Sequence, residues 1–449
     1  MSITTPGRSA GVSSDAPPSY TGPLAVVTTL FFMWGALTSL NDVLIPHFQH
    51  VFNLKLAVSM LVQTAFFSSY FVFSIPSAKV IDWLGYQRAM VVGLLTMGAG
   101  AFLFVPAAKV PSFGLFLTAL IVLAAGITLL QVAANPYVTV LGPAKTASSR
   151  LNLTQAFNSL GTTIAPWIGG FFILAAAGAV AAEDPVQQAA SVIKPYVFLG
   201  VALVLLAVLI GSFKLPKVES AQHHIGEKVS DSIWRHPNLI FGAVAIFVYV
   251  GGEVAIGSSI ANYLALDNIG QLVSASAVPD SALRYQEALR AAAKYISLYW
   301  GGAMVGRFIG SAILQKVKTR SVLAVCAVMA GLLVTISVLS NGPVAMWSIL
   351  LVGFFNSIMF PSIFTLGVSE LGPLTGDGSG VMIMAIVGGA AIPWIVGKIG
   401  DVINARSYGG AIWGQGLHYA LIVATLCYLY ILFFALSGSK PNSERQART

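Results

Sequence analysis

NPYVTVLG, residues 135–142, returns in the second part of the chain as FPSIFTLG, residues 360–367, with its proline, leucine and glycine at the same places. A second pair lies just beyond the first. GTTIAPWIGG at 161–170 and GGAAIPWIVG at 388–397 share a proline, a tryptophan and an isoleucine in a row. The two pairs are separated by nearly the same length of chain. This similarity indicates two repeats of one structural unit in the same orientation.

The composition of the chain identifies the solvent around these repeats. Of its 449 residues, 56% are hydrophobic and only 9% are charged, and the mean hydropathy is +0.82. Soluble domains carry about 25% charged residues. A chain this long and this poor in charge cannot cover its surface with polar groups, so most of that surface must face lipid. Cys326 and Cys427 lie in apolar runs and are expected to be packing residues.

The apolar runs predict the membrane spans. A helix needs about 20 apolar residues to cross a bilayer. The sequence offers twelve such runs, at about 23–46, 58–82, 89–108, 113–140, 152–178, 195–214, 237–265, 293–315, 321–340, 343–369, 379–402 and 411–436. The sequence therefore predicts an all-α membrane protein with twelve transmembrane helices in two pseudo-symmetric six-helix halves.

The polar stretches predict how the chain is divided and oriented. We expect a disordered cytoplasmic tail at 1–22, an N-terminal half at 23–214, a cytoplasmic linker at 215–236, a C-terminal half at 237–436 and a cytoplasmic tail at 437–449. With both termini cytoplasmic, 16 of the 24 lysines and arginines lie on the inside, as the positive-inside rule requires. The predicted location is the cell inner (plasma) membrane, as a multi-pass protein.

Two carboxylates lie where charge is costly. Of the sixteen acidic residues, only Asp42 and Glu253 lie well inside predicted spans. A charge at the bilayer centre costs at least ~2.5–3.5 kcal/mol, so such residues usually face a cavity and function there. Burial favours the neutral form of a carboxyl group, which suits it to load and release a proton. We predict proton coupling at Asp42, against the alternative that it only hydrogen-bonds helices together. For Glu253, ion coupling, substrate binding and bracing of its helix are equal alternatives.

Amide side chains are the second group of polar residues inside the spans. Gln131 and Asn135 are four residues apart, and Gln155 and Asn158 are three apart, so each pair shares one helix face. Amides pair a donor with an acceptor, which suits the hydroxyl groups of a neutral polyol. With aromatic side chains that can stack on a sugar ring, the predicted substrate-binding set is Trp34, Asn41, Gln131, Asn135, Gln155, Asn158, Asn262, Asn356 and Phe360.

The alternative function for these amides is hydrogen bonding between helices, worth only about 0.6 kcal/mol each on average. Hydrogen bonding between helices explains any single amide as well as substrate binding does, but it explains the whole set less well. Basic residues inside the spans are confined to Arg307 and Lys398, near opposite ends. We therefore expect a neutral substrate rather than a phosphorylated or carboxylate one.

Motifs of catalysis are not found in the sequence. The six histidines are scattered in loops or at span ends, and neither a phosphate-cradling glycine loop nor a nucleophile elbow occurs. We expect a protein that is not an enzyme and uses no cofactor or metal. The net charge of +8 is interpreted as an orientation signal, so no nucleic-acid partner is expected.

Four segments carry a resemblance to a known family. LNDVLIPHFQ at 40–49, AANPYVTVLGP at 133–143, RLNLTQAFNSLG at 150–161 and FPSIFTLGVSELG at 360–372 resemble the L-fucose–proton symporter family of the major facilitator superfamily, and within it the glucose/galactose transporter branch. The likeness extends over nearly all twelve spans. It implies sugar uptake coupled to an ion by alternating access.

The resemblance also implies roles for single residues. It places Asp42 at the family's protonatable aspartate, and Gln155 and Asn158 at its sugar-binding amides. The fucose symporter has a glutamate in place of Gln131 and a tyrosine in place of Phe360. It also has an asparagine where this chain has a serine at position 39. These departures favour glucose, galactose or mannose over fucose, and relatives that use sodium leave the coupling ion open.

The sequence thus predicts a secondary transporter that imports a neutral hexose with protons. Its expected partners are a neutral monosaccharide, the coupling ion and the lipid bilayer, and we expect a monomer. The alternatives are a sodium-coupled sugar symporter and a symporter for fucose or N-acetylglucosamine. A proton-driven drug exporter shares the fold but should prefer an aromatic pocket to amides. A non-transporting membrane sensor would not need a carboxylate at mid-membrane.

Overall fold

The structure is a computed structural model that describes residues 20–52, 61–169, 189–216, 232–274, 276–406 and 414–446. Within these ranges the regular structure is helical and contains no β-strand. The predicted N-terminal tail and central linker lie largely outside the described residues. The side chains of Asn41, Asp42 and Gln63 also lie outside the description, although the helices that carry them are within it.

Five described helices cover the first six predicted spans. They are α1 (Thr21–Val51), α2 (Leu61–Lys109), α3 (Phe113–Val140), α4 (Ala147–Gly169) and α5 (Ile193–Ser212). Helix α2 contains two spans, because the chain turns at Gly85, where φ is 77°. A positive φ is strained for residues with a Cβ atom, so glycine suits this turn.

The described helices of the C-terminal half are more often broken. They are α6 (Pro237–Leu264), α7 (Ser281–Ile313), α8 (Thr319–Leu339), α9 (Gly342–Asn356), α10 (Met359–Gly367), α11 (Thr375–Met384), α12 (Gly388–Arg406), α13 (Gly414–Ala420) and α14 (Ile422–Phe433). The last three predicted spans are each split in two: α9 from α10, α11 from α12 and α13 from α14. Breaks of this kind free backbone groups, and other protein groups must then bond them.

Apolar length accounts for most of these spans. Within the described residues, nine helical stretches are long and apolar enough to cross a membrane, and one of them holds both spans of α2. Helices α4 and α7 are the two additional spans. They are less apolar because α4 carries amides and hydroxyls and α7 carries several charged residues. Together these helices account for all twelve predicted spans.

Glycines bring α1 and α4 into close contact. A Cβ atom added at Gly161 would lie 2.3 Å from the Phe32 carbonyl oxygen, and one added at Gly35 would lie 2.3 Å from the Asn158 carbonyl oxygen. No larger residue fits either position without moving a backbone. Small residues at such crossings let transmembrane helices pack closely. The crossing places Asn158 beside the centre of α1.

The two halves meet along α4 and α7 and again along α11 with α2 and α3. The Ser149 hydroxyl donates to the Ser311 carbonyl at 2.7 Å, and the Ser311 hydroxyl donates to the Ser149 carbonyl at 3.1 Å. The Ser379 hydroxyl donates to the Val132 carbonyl at 2.9 Å. Ser149 lies at the start of α4, which runs parallel to α1. We call the end of the bundle where α1 begins the N-terminal side, and these contacts join the halves there.

A short helix near the end of the chain, α15 (Asn442–Gln446), contacts the first turn of α8, the connection between α10 and α11, and the end of the linker before α6. Arg320 and Glu444 form an ion pair at 2.6 Å, and the Ser443 hydroxyl donates to Glu370 at 2.6 Å. The Asn442 amide donates to the Arg235 carbonyl at 2.9 Å. The predicted C-terminal tail, 437–449, is therefore held against the N-terminal side over its described residues.

Candidate functional site

A polar cavity of about 190 Å³ lies between the two halves. Its lining residues come from both repeats and combine amides, hydroxyls, one carboxylate and one guanidinium with a few apolar groups. They are Trp34, Thr38, Tyr70, Gln131, Gln155, Asn158, Thr162, Tyr249, Val250, Glu253, Arg307, Phe360 and Ile386. This mixture of convergent polar groups and aromatic faces is typical of a small-molecule site.

Amides of α3 and α4 form the wall of the cavity in the N-terminal half. The Gln131 amide donates to the Tyr70 hydroxyl at 2.8 Å, and the Asn158 amide donates to the Phe31 carbonyl at 2.9 Å. Both residues are buried, as is Gln155. An amide group has two donor hydrogens and one acceptor oxygen, and these bonds use only one donor of each. The remaining groups can therefore bind a ligand.

A second row of amides supports this wall and the opposite one from behind. The Gln155 amide donates to the Asn135 side-chain oxygen at 3.4 Å. In the C-terminal half, the Tyr249 hydroxyl donates to the Asn356 backbone carbonyl at 3.0 Å, and the Asn356 amide donates to the Tyr299 hydroxyl at 3.0 Å. Asn135 and Asn356 are fully buried. They orient cavity residues rather than line the cavity.

Glu253 provides the negative charge of the opposite wall. It lies four residues after Tyr249 on α6, so the two side chains share a helix face and both reach the cavity. Only 9% of Glu253 is exposed, and its Oε1 atom has no hydrogen-bond partner among the described residues. A buried carboxylate oxygen without a partner is costly, so it is suited to bind a hydroxyl group or a cation.

Arg307 provides the positive charge, and it bridges the halves. Its Nη1 atom donates to the Ser159 hydroxyl and, at 3.4 Å, to the Gln155 carbonyl, both on α4. Its Nε atom donates at 3.2 Å to the carbonyl of Ser357, in the break between α9 and α10. The neighbouring Gly306 allows this approach, because an added Cβ atom there would lie 2.5 Å from the Ser357 hydroxyl oxygen.

The structure brings together most of the residues predicted to form the site. Trp34, Gln131, Gln155, Asn158, Glu253 and Phe360 line the cavity, with Asn135 and Asn356 behind them. Asn262 lies apart from the cavity, near the far end of α6, where its side-chain oxygen accepts from the Tyr285 hydroxyl at 3.1 Å. Asn41 and Asp42 belong to α1, but their side chains lie outside the description, so their predicted roles remain predictions.

Sequence reasoning missed five polar lining residues, Thr38, Tyr70, Thr162, Tyr249 and Arg307, and the apolar lining residues Val250 and Ile386. Arg307 lies near the end of its predicted span, a position that does not mark it as a site residue. The useful signal was its neighbours, since Gly302, Gly306 and Gly310 indicate that another element packs closely on that face of α7. An arginine among such glycines can reach the backbone of the element that packs against them.

A larger cavity, about 740 Å³, lies on the side of the N-terminal half between α1, α4 and α5. Its lining is apolar, with side chains such as Leu24, Phe157 and Leu206. Two of its polar residues, Thr28 and Thr29, donate their hydroxyls to carbonyls of their own helix at 2.7 Å. This cavity offers little to a polar ligand, so the site is assigned to the smaller one.

Metal binding has little support among the described side chains. There, no group of three or more histidine, cysteine, aspartate or glutamate residues is arranged to hold a metal ion. The cavity lining carries one carboxylate and one guanidinium, whose formal charges cancel. The site is therefore best suited to a neutral molecule rich in hydroxyl groups.

Comparisons with known proteins agree on one family. The family model described as Major Facilitator Superfamily matches residues 26–393. A glucose/galactose transporter of Brucella abortus biovar 1 (strain 9-941) is 44% identical over 423 residues, which cover 94% of this chain and 95% of that protein. The L-fucose-proton symporter of Escherichia coli (strain K12) is 32% identical, with 93% of each chain covered.

Solved structures give the same result. A crystal structure of the E. coli fucose:proton symporter FucP matches with a TM-score of 0.80 and 30% identity, covering 94% of this chain and all of the other. A structure of FucP in the outward conformation matches with a TM-score of 0.79. These comparisons confirm the predicted family resemblance and the predicted fold of twelve helices in two halves.

Proposed function

This chain belongs to the major facilitator superfamily, and from that membership we propose that it imports a neutral hexose by symport with protons. It is a multi-pass membrane transporter rather than an enzyme. The observation that carries the proposal is the cavity between the halves, where Gln131, Gln155 and Asn158 face Glu253 and Arg307. Parallel halves around a central site are the arrangement that supports alternating access.

The choice of a sugar rests on the chemistry of the walls and on the relatives. Amides present donors and acceptors together, as the hydroxyls of a sugar require, and Trp34 and Phe360 offer aromatic faces to its ring. Arg307 already donates to three protein oxygens, so it is not free to attract an anionic substrate. The 44% identical relative is named a glucose/galactose transporter, which favours a hexose.

The coupling ion is proposed to be the proton, with Asp42 as the coupling residue and Glu253 contributing. The named activity of the L-fucose-proton symporter supports this choice. Sodium coupling is the alternative, and it would require oxygen ligands near the same carboxylates. Fucose and N-acetylglucosamine are alternative substrates. A drug exporter is less well supported, because the cavity lining holds more amides and hydroxyls than aromatic rings.

The membrane location and the direction of opening are also proposals. We place the protein in the inner membrane of a bacterial cell as a monomer in the bilayer, with both termini in the cytoplasm. The halves are joined on the N-terminal side through Ser149, Ser311 and Arg307. With that side cytoplasmic, the described contacts correspond to a transporter closed to the inside, in agreement with the match to FucP in the outward conformation.

The test is sugar uptake by proteoliposomes that contain the purified protein. Radiolabelled glucose, galactose, mannose, fucose and N-acetylglucosamine are offered with a proton gradient or a sodium gradient, each imposed alone. We expect accumulation of a hexose with the proton gradient and none in protein-free liposomes. Accumulation driven only by sodium would reassign the ion. If none of the sugars shows counterflow or accumulation, the proposed function is rejected.

A further inference from the structure

We propose that Arg307 is a positioning residue that holds the cavity closed on the N-terminal side, and that it exchanges its partners on α4 for the Glu253 carboxylate when that side opens. The inference deepens the proposed function, since it assigns a part in alternating access to two residues of the same site. It rests on three observations: the partners of Arg307, the free oxygen of Glu253 and the helices that carry them.

The partners of Arg307 belong to both halves. Ser159 and Gln155, on α4, accept hydrogen bonds from it across the boundary, whereas Ser357 belongs to the same half as Arg307. Asn152 strengthens the same contact, because its amide donates to the Arg307 backbone carbonyl at 2.7 Å. Separation of the halves on this side must break the bonds to α4 and leave the guanidinium with only its bond to Ser357.

A guanidinium that loses partners in a membrane protein needs a replacement. Arginine stays protonated in proteins, so the charge cannot be removed by loss of a proton. A charged group left without hydrogen bonds in a buried site is strongly unfavourable. Opening of the N-terminal side admits water to the guanidinium, and a carboxylate acceptor would stabilise the charge further by a charge-assisted hydrogen bond in an arrangement that a transporter must visit in every cycle.

Glu253 is the acceptor that the structure offers. It lines the same cavity as Arg307, and its Oε1 atom has no partner among the described residues. Glu253 and Arg307 are also the only formally charged groups among the described lining residues. Each residue is therefore the natural counter-ion of the other once the bonds to α4 are lost.

The helices that carry the pair allow this exchange. Glu253 is on α6 and Arg307 on α7, and both helices belong to the C-terminal half. Halves that move as rigid bodies change contacts between halves but keep contacts within them. The backbones of α6 and α7 therefore keep their relative positions, and the Arg307 side chain alone has to turn from α4 toward Glu253 as α4 moves away. The Arg307 guanidinium then bonds to α4 of the other half when the N-terminal side is closed, and to Glu253 of its own half when that side is open.

The experiment uses a disulfide as a reporter of closure. The Ser149 and Ser311 hydroxyl oxygens lie 3.4 Å apart, so the variant S149C/S311C should cross-link only when the N-terminal side is closed. The two native cysteines, Cys326 and Cys427, are replaced by serine in every sample. The rate of cross-linking is measured with a mild oxidant in proteoliposomes, without sugar.

We expect R307Q to slow cross-linking, because the closed state loses its bonds to α4. We expect E253Q to speed it, because the open state loses the acceptor for Arg307. Coupling between two such sites typically changes an equilibrium about fivefold or more. The decisive result is the double variant: E253Q should speed cross-linking in the presence of Arg307 and have no effect in the R307Q background. A purely structural role for either residue would not give this dependence.

One control variant and one substitute variant keep the outcome interpretable. E287Q alters an exposed glutamate on α7 and should leave the rate unchanged. If E253Q does not fold, E253D is used, since its shorter side chain keeps the charge but withdraws it from Arg307. An unchanged rate in the Glu253 variants, or an equal change in both backgrounds, would overturn the inference. Sugar uptake is measured separately, so failure of the proposed function would not be confused with failure of the exchange.

Discussion

Arg307 donates a hydrogen bond to the Ser159 hydroxyl across the boundary between the two halves. Ser159 lies four residues after Gln155, so the contact falls on the helix face that also presents Gln155 to the cavity. The Gln155 carbonyl accepts from the same guanidinium at 3.4 Å. A residue proposed to bind sugar and the contact that closes the cavity therefore share one turn of α4. Movement of that turn would change both the proposed sugar-binding residue and the contact between the halves.

Asp42→Asn should separate exchange from accumulation. The asparagine mimics the neutral carboxyl group permanently, so sugar should still bind and exchange across the membrane. Uphill accumulation should be lost, because no proton is released. One charge crossing the full membrane potential is worth about 2.3 kcal/mol per 100 mV, and this contribution would disappear. Counterflow and gradient-driven uptake in proteoliposomes distinguish the two. Accumulation that persists would move the coupling role to Glu253.

Gln155→Ala should weaken sugar binding without unfolding the protein. Among the described residues, its amide makes one long bond, 3.4 Å, to Asn135, so the fold depends little on it. Loss of one hydrogen bond to the sugar, ~0.5–1.5 kcal/mol, lowers affinity about 2- to 12-fold. Binding is followed by isothermal titration in detergent. Asn158→Ala is the comparison: it also removes the bond to the Phe31 carbonyl, so it should lower the melting temperature as well. Unchanged affinity in both variants would show that these amides only hold helices together.

Gly161→Ala should destabilise the protein. The added methyl group would lie 2.3 Å from the Phe32 carbonyl oxygen, so α1 and α4 must separate. Overpacking of this kind costs ~1–3 kcal/mol. The matched control is Gly301→Ala on α7, where nothing lies within 4 Å of the added atom. The control should be neutral or slightly stabilising, because alanine favours helix more than glycine does. Thermal unfolding in detergent compares them, and equal melting temperatures would contradict the close crossing.

Asp377→Asn should favour opening of the N-terminal side. Asp377 forms an ion pair with Lys79 of the other half at 3.0 Å, and half of the Lys79 side chain is exposed. An exposed pair contributes only ~0–1 kcal/mol, so the S149C/S311C cross-linking rate should fall by at most about fivefold. High salt should reproduce part of the effect in the unaltered protein by screening the charges. A faster rate would mean that the pair opposes closure.

The linker between the halves should be cytoplasmic. A cysteine introduced at Ser220, in the background without Cys326 and Cys427, should resist a membrane-impermeant thiol reagent applied to intact cells. Permeabilised cells should be labelled. The reason is the excess of lysine and arginine on that side of the predicted topology. Strong labelling of intact cells would reverse the proposed orientation.

The sequence was sufficient for the spans, because apolar length is a local property. It also identified the amides that line the cavity, since Gln131, Gln155 and Asn158 are polar residues in apolar helices. It could not separate these from Asn262, which is equally polar but lies toward the end of α6. Position along a span and rotation about its axis depend on how helices pack, and spacing within one helix does not determine them.

The glycines around Arg307 indicate a close contact, but its partners do not follow from the sequence for a different reason. It reaches Gln155, 152 residues away in the chain, only because α7 packs against α4. The Ser357 carbonyl is available to it because Pro361, four residues further on at the start of α10, has no backbone N–H to bond that carbonyl. The approach of α7 to α4 does not follow from hydrophobic periodicity. It is a tertiary feature that appears once the two halves are assembled.

The bonds that join the halves have an evolutionary consequence. Several of those between described residues end on a backbone carbonyl: Ser149 on Ser311, Ser379 on Val132 and Asn152 on Arg307. Every residue type supplies a carbonyl, so substitution at an accepting position does not by itself remove the acceptor. Homologous transporters should therefore vary freely at positions such as Val132 while retaining a donor at Ser379. Selection on this contact acts on one partner of each bond, which leaves the other free to drift.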